Sequence, residues 1–319
     1  MNISINERLQ RLAVLTVECP ITIGWLSTQH QEGVRSSPFK GGGRDYCDFR
    51  DYRDGDKVTR INWKMLARRP DRPMVTLFEE ERNACVCVLA DVSRGMDMVS
   101  VGLSKRELAC VLTTSIIRSA TRTNDTALFA TFDERGVKHF MGRRAAHGLQ
   151  LAPAAVLEED DNYLDEGGSG LACALKRLPK ARSLVFILID ANHEFNEEEL
   201  EQLFYLGIRH EIVFLSISDL RERELPASRL LPFLPIPGFY TTVDQDGVPG
   251  TIWAHKRSRA RHAKRFSDQE QKTIAQLTGL NCRFASMHTE DDLLTRRAQL
   301  TRILSSRRSR LNLNEGEQA

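Results

Sequence analysis

From residue 84 onward, short unbroken apolar runs take turns with longer stretches of helical periodicity. ACVCVLAD (84–91), TALFATF (126–132), SLVFILID (183–190) and EIVFLSI (211–217) are continuous rather than alternating. A run of that kind predicts a strand covered on both faces. Between them, Leu108, Val111, Leu112, Ser115 and Ile116 share one face of a helix over 104–122, with Ser104 as N-cap and Glu107 as its capping-box partner. A hairpin return is expected over 135–141, and a helix over 146–158 broken near Pro153. GGSGLACAL (167–175) reads as a glycine turn entering a helix, and 196–206 as an acidic helix. FYTTVDQDGVPGTIW reads as a hairpin turning at Asp246-Gly247. A helix over 257–278, a strand over 282–286 and a helix over 291–304 follow. This alternation predicts an α/β fold with a doubly wound, mostly parallel sheet over about residues 84–305.

The upstream third has a different texture. Residues 1–33 form an arm of mixed character in which Pro20 stops any helix begun at Glu7. VRSSPFKGGGRDYC (34–47) is loop-like, and 48–83 is dense in charge and aromatics. The expected organisation is an arm at 1–33, a smaller β-rich module at 34–83, the α/β domain at 84–305 and a polar tail at 306–319. In the charged block, Arg50, Arg53, Arg60 and Arg68 interleave with Asp48, Asp51, Asp54 and Asp56, the pattern of a salt-bridged structural module, with a protein-docking surface as the alternative. Trp63 within it reads as a packing anchor.

Composition narrows the class. A net charge of +2 over 319 residues excludes a bulk polyelectrolyte. The charge is nevertheless uneven: 151–224 holds 16 acidic and 7 basic side chains, whereas 254–310 holds 14 basic and 5 acidic. The longest apolar run, Leu184–Ile189, is far short of the ~18 residues of a membrane-spanning helix. The N-terminus has no signal-peptide pattern. Seven scattered cysteines, an odd number, fit reduced thiols and a cytoplasmic setting.

Several chemistries lack their motifs: there is no G-x-x-x-x-G-K-[ST], no G-x-S-x-G and no H-E-x-x-H. Cys85 and Cys87 form C-x-C on one strand face, which two small buried thiols explain. What remains is Asp91-Val92-Ser93-Arg94-Gly95-Met96 at the carboxyl end of the first sheet strand, where open α/β sheets bind ligands. Ser169 in the glycine turn and Asp190 at the end of the apolar run 183–190 come from equivalent places. Together Asp91, Ser93, Ser169 and Asp190 offer hard oxygen ligands suited to Mg²⁺. Each has a plainer reading as a helix cap.

DVSRGM resembles the D-x-S-x-S-M loop of von Willebrand factor type A domains, α/β folds with a metal-ion-dependent adhesion site. The block FRDYRDGDKVTRINWKMLARR, then Phe78, Glu79 and Glu81, then Asp91, Ser93 and Met96, resembles the domain of unknown function 58 family. Lys105, Leu108, Ala109, Asp190, Asp219, Glu224, Leu225 and Pro226 extend that similarity over roughly 40–230. The resemblance implies a von Willebrand factor A-like fold and partnership with a MoxR-type AAA+ ATPase and a client protein. Three positions depart from the pattern. Gly95 replaces the second motif serine, with Asp97 as a candidate substitute; Asn62 replaces the Asp usual before Trp63; Ser169 replaces a Thr.

The resulting expectation is a non-enzymatic interaction protein that holds Mg²⁺ on Asp91, Ser93, Ser169 and Asp190, a partner carboxylate completing the shell. Two alternatives stand beside it. One is a metal-dependent hydrolase using the same carboxylates. The other is nucleic-acid binding through HKRSRARHAKR (255–265), which lacks the interleaved aromatics of a single-strand platform and is set against a plain solvated helix face.

Overall fold

The computed structural model describes residues 4–19, 21, 45–53, 56, 61–68, 73–79, 85–100, 102–122, 125–144, 151–158, 162–225, 239–243, 249–253 and 256–305. The chain divides into two compact units, Gly24–Asn83 and the remainder. Of the sequence expectations, GGG at 41–43, Arg60, Asp54, the Asp246-Gly247 turn and the tail from 306 lie outside the described residues.

Helix α1 (Ile5–Ala13) belongs to the larger unit and opens with a capping box between Ser4 and Glu7. The smaller unit pairs β1 (Asp45–Asp51) antiparallel with β2 (Met74–Glu79), and a single helical turn, α2 (Trp63–Leu66), lies between them in sequence. The strand begins at Asp45, inside the stretch read as loop to 47. Asn62 caps α2 by accepting the Met65 amide at 3.1 Å, which Asn does as well as Asp. Trp63 is not the expected packing anchor: it is 60% exposed, on a turn too short to bury any of its residues.

The larger unit runs β3 (Cys85–Asp91), a 3-10 turn (Arg94–Asp97), α3 (Lys105–Arg122), β4 (Thr126–Phe132), β5 (Gly136–Arg144), α4 (Ala152–Leu157), β6 (Asp165–Glu166), α5 (Gly170–Lys176), β7 (Ser183–Asp190), α6 (Glu197–Arg209), β8 (Glu211–Ser218), α7 (Leu220–Arg223), a β9–β10 hairpin (Phe239–Val243 with Pro249–Trp253), α8 (Lys256–Gly279), β11 (Arg283–His288) and α9 (Leu293–Ser305). Its sheet has the order β11-β8-β7-β3-β4-β5-β6. The five strands from β11 to β4 are parallel, and β5 and β6 are antiparallel additions. Strands β7 and β8 are buried along their whole length, as their unbroken apolar runs require. On one face Leu89, Ile187 and Phe214 pack with Leu171, Leu175, Leu203 and Leu277 of α5, α6 and α8. Helix α3 packs on β3 and α4.

Pro153 sits in the first turn of α4, where its missing N–H costs no hydrogen bond, and residues 146–150 of the expected helix lie outside the described residues. The capping box read at Ser104 and Glu107 is present, with bonds of 3.0 and 3.1 Å. Gly167 and Gly168, at φ of 123° and 97°, make the turn into α5 in a backbone region that side-chain-bearing residues avoid. Among the described residues no helix is long and apolar enough to cross a membrane.

From β3 the chain moves to β4 on one side, while β7, β8 and β11 extend from the other. The switch point therefore lies between β3 and β7, and the carboxyl ends of these neighbours are Asp91 and Asp190.

Candidate functional site

Asp91 is 3% exposed. Its Oδ1 accepts the Ser93 N–H at 2.7 Å, and its Oδ2 accepts the Asp190 N–H at 3.4 Å. Burial pushes its pKa up against the pull of the Ser93 amide. Ser93 opens the 3-10 turn, but its hydroxyl makes no cap bond there. Arg106 staples this loop: Nη2 donates to the Val92 carbonyl at 2.9 Å, and Nε lies 2.6 Å from Asp97 Oδ1. Asp97 is thus engaged by Arg106 rather than standing in for the missing serine.

Lys105 is fully buried at the start of α3. Its ammonium donates to Asp190 Oδ2 at 2.7 Å and to Glu222 Oε1 at 2.6 Å. Burial lowers the lysine pKa, but the two carboxylates outweigh it and the net direction is up. Glu222 is raised, first by burial, with Lys105 pulling the other way. Asn192 completes the cluster, its amide side chain donating to Glu222 Oε1 and its N–H to Asp190 Oδ1, both at 2.9 Å.

Ser169 caps α5 by accepting the Ala172 N–H at 3.3 Å and donates its hydroxyl to Glu199 Oε1. The other oxygen of Glu199 meets His193 Nε2 at 3.1 Å. The carboxylate sits in the middle, so no imidazole faces the serine, unlike a Ser-His-Asp triad. Burial depresses the His193 pKa, but Glu199 reverses this and the net shift is upward. Burial raises Glu199, but His193 and Ser169 bring it below its ordinary value.

This pair has a definite pH signature. The His193 contribution is complete below its ordinary 6.5 and fades as pH rises through the raised value. The Glu199 contribution is present above its ordinary 4.5 and fades as pH falls through the lowered value. Glu199→Gln is therefore expected to destabilise most between these two values and progressively less at alkaline pH. Urea denaturation of both proteins across that range measures it; a stability difference that does not change with pH refutes the pairing.

The site thus brings Asp91, Ser93 and Asp190 together at one crevice, with Ser169 joined to the same rim through Glu199 and His193. Sequence reasoning missed Lys105 as a buried cation, Glu222 and Asn192 as its partners, and Arg106 as the staple. Mg²⁺ demands near-octahedral oxygen donors and keeps several waters. Here Asp190 carries an ammonium, Ser169 donates to Glu199, and both Asp91 oxygens accept backbone amides. A Cβ at Gly95 would lie 2.4 Å from Asp190 Oδ2, so the position of the second motif serine has no room for one as the carboxylate now stands. The four expected donors in this arrangement do not fit a divalent ion. Among the described residues no cluster of three or more His, Cys, Asp or Glu side chains is set to hold a metal.

The sequence profile of the family described as "Protein of unknown function DUF58" matches residues 48–233. The chain belongs to the DUF58 family. That span takes in the charged block and all four expected site residues of this DUF58 protein. No curated protein matches the sequence. Among solved structures it is similar to BatB from Bacteroides thetaiotaomicron, a conserved hypothetical protein, at 9% identity and a TM-score of 0.41, over 70% of this chain and 100% of that one. It is also similar to an aerotolerance-related membrane protein from Bacteroides fragilis, at 12% identity and 0.37, over 62% and 99%. A von Willebrand factor type A structure from Catenulispora acidiphila gives 12% identity and 0.35, over 72% and 43%.

The remaining features of the DUF58 chain are simpler. Cys87 is buried and Cys85 partly so, their sulphurs 3.8 Å apart. On α8, Arg257, Arg261, Lys264 and Arg265 are exposed.

Proposed function

We propose that this DUF58 protein is a non-enzymatic interaction protein whose sheet rim docks a MoxR-type AAA+ ATPase together with its client protein. The observation that carries the reading is the convergence of the loops after β3, β7 and β8 at the switch point, each tied to the others by buried polar contacts. Such a rim is rigid, which favours recognition by limiting the ordering cost of binding. Met98 and Val99, 37% and 58% exposed, present apolar surface on the loop that Ser100 fastens to Asp219. The order Ser169–Glu199–His193 supplies no activated nucleophile, which weighs against hydrolysis.

The test is biolayer interferometry of the full chain against the purified MoxR-type ATPase of the same organism, with ATP present. Saturable binding is expected, unchanged by EDTA, and weakened by about tenfold or more when Met98 and Val99 are both replaced by Glu, a loss of ~1.4 kcal/mol. Absent binding, or binding indifferent to both substitutions, overturns the reading. Turnover of a phosphoester panel that disappears in Asp190→Asn replaces it with a hydrolase.

A further inference from the structure

A lysine that is wholly shielded from water is rare and needs a reason. Lys105 is 0% exposed. Its position opposes helix electrostatics, because the first turn of a helix favours negative charge. Ordering so long a side chain also costs rotamer freedom. Both costs are borne to place one positive charge at one point, between Asp190 at the end of β7 and Glu222 in α7. That point is the crevice beside Asp91 and Ser93. Gly95 shows the same geometry from the other side: a Cβ there would meet Asp190 Oδ2 at 2.4 Å and Ser93 Oγ at 3.9 Å. The Asp190 carboxylate thus occupies the space a second serine would need and turns its Oδ2 to the ammonium.

We infer that the Lys105 ammonium is the resident cation of this rim, a tethered charge that takes the place of a divalent metal ion. An ammonium offers three N–H donors and no empty coordination position. Its single positive charge is shared between Asp190 and Glu222, and it cannot be removed by a chelator. Shielded from solvent, it is also out of reach of a partner carboxylate, unlike an open metal position. Recognition at this rim is therefore metal-independent, and its partner contacts come from the surrounding loops. The inference concerns the isolated chain and holds whichever partner the rim engages.

Divalent ion titration tests it directly, with no partner in the assay. Calorimetry of the full chain with Mn²⁺ is expected to show no binding that depends on Asp190, and the unfolding temperature is expected to be the same in Mg²⁺, in Mn²⁺ and in EDTA. Lys105→Ala vacates the space between Asp190 and Glu222. In that variant Mn²⁺ is expected to raise the unfolding temperature, and adding Asp190→Asn is expected to abolish the rise. Lys105→Gln serves as the second variant if the alanine protein does not fold, with the same expectation. Micromolar Mn²⁺ binding by the natural chain that vanishes in Asp190→Asn overturns the inference, as does the lack of any Mn²⁺ response in the folded lysine variants. Neither result bears on the ATPase interaction, which is measured separately.

Discussion

Lys105→Met is expected to lower the unfolding free energy by about 3–5 kcal/mol, the cost of stripping the partner from a buried ion pair. The cost comes from what is left behind. Asp190 and Glu222 have side chains only 11% and 10% exposed, and both point at the ammonium. Without it, two carboxylates share one low-dielectric pocket, and the Asp91 carboxyl lies against the Asp190 backbone amide. Methionine keeps most of the lysine stem, so the experiment isolates the charge from the packing. A charge-neutral triple variant, Lys105→Met with Asp190→Asn and Glu222→Gln, is expected to regain much of the loss, because no orphaned charge remains. Equilibrium urea denaturation of the natural chain and both variants decides the matter. A single-variant loss under about 1 kcal/mol, the range of solvent-exposed pairs, shows that the ammonium does not hold the loops together.

The strands were legible because burial on both faces leaves an unbroken apolar run, and SLVFILID matches β7 residue for residue. Asp91 and Asp190 were legible for the same reason: each is the first acidic residue after such a run, and parallel pairing then sets the two side by side. Their cation was not. In LSKRELA a lysine after an N-cap serine looks like an ordinary surface residue. The only local signal was its sign, since a basic residue opens a helix whose capping box already supplies the favourable acid. Glu222 lies in RERE, which reads as a solvated charge run until α7 folds it back beneath the rim. Ser169 shows the capping reading in place, the hydroxyl accepting from Ala172, while the same hydroxyl donates to Glu199, a partner that the glycine turn did not announce. Local periodicity carries no information about which distant acid meets which distant base.

Asp219→Ala is expected to cost about 3–4 kcal/mol, since hydrogen bonds to a charged group are worth roughly 1.5–3 kcal/mol each and do not add fully. Asp219 is 0% exposed and collects donors from three loops. Its Oδ2 accepts the Ser100 N–H at 3.1 Å and the Thr289 hydroxyl at 3.0 Å. Its Oδ1 accepts the Ser100 hydroxyl and, at 2.9 Å, the Arg221 N–H that starts α7. Its own N–H donates to Glu222 Oε2 at 2.9 Å, so the residue also positions one of the two anions that hold Lys105. Burial raises the Asp219 pKa, but Ser100, Arg221 and Thr289 outweigh it and the net shift is downward from 3.8. The folded pKa lies below the unfolded one, so this stability is present above about pH 3.8 and is lost as pH falls through the lowered value. Asp219→Asn keeps the shape and one acceptor but aims an NH₂ at groups that already donate. It is expected to be less damaging than alanine near neutral pH, and the gap between it and the natural chain is expected to narrow in acid. Urea denaturation of the three proteins near neutrality and again below pH 3.8 measures both effects. A gap that stays constant on acidification means the carboxylate charge contributes nothing to the tie between the loops after β3, β8 and β11.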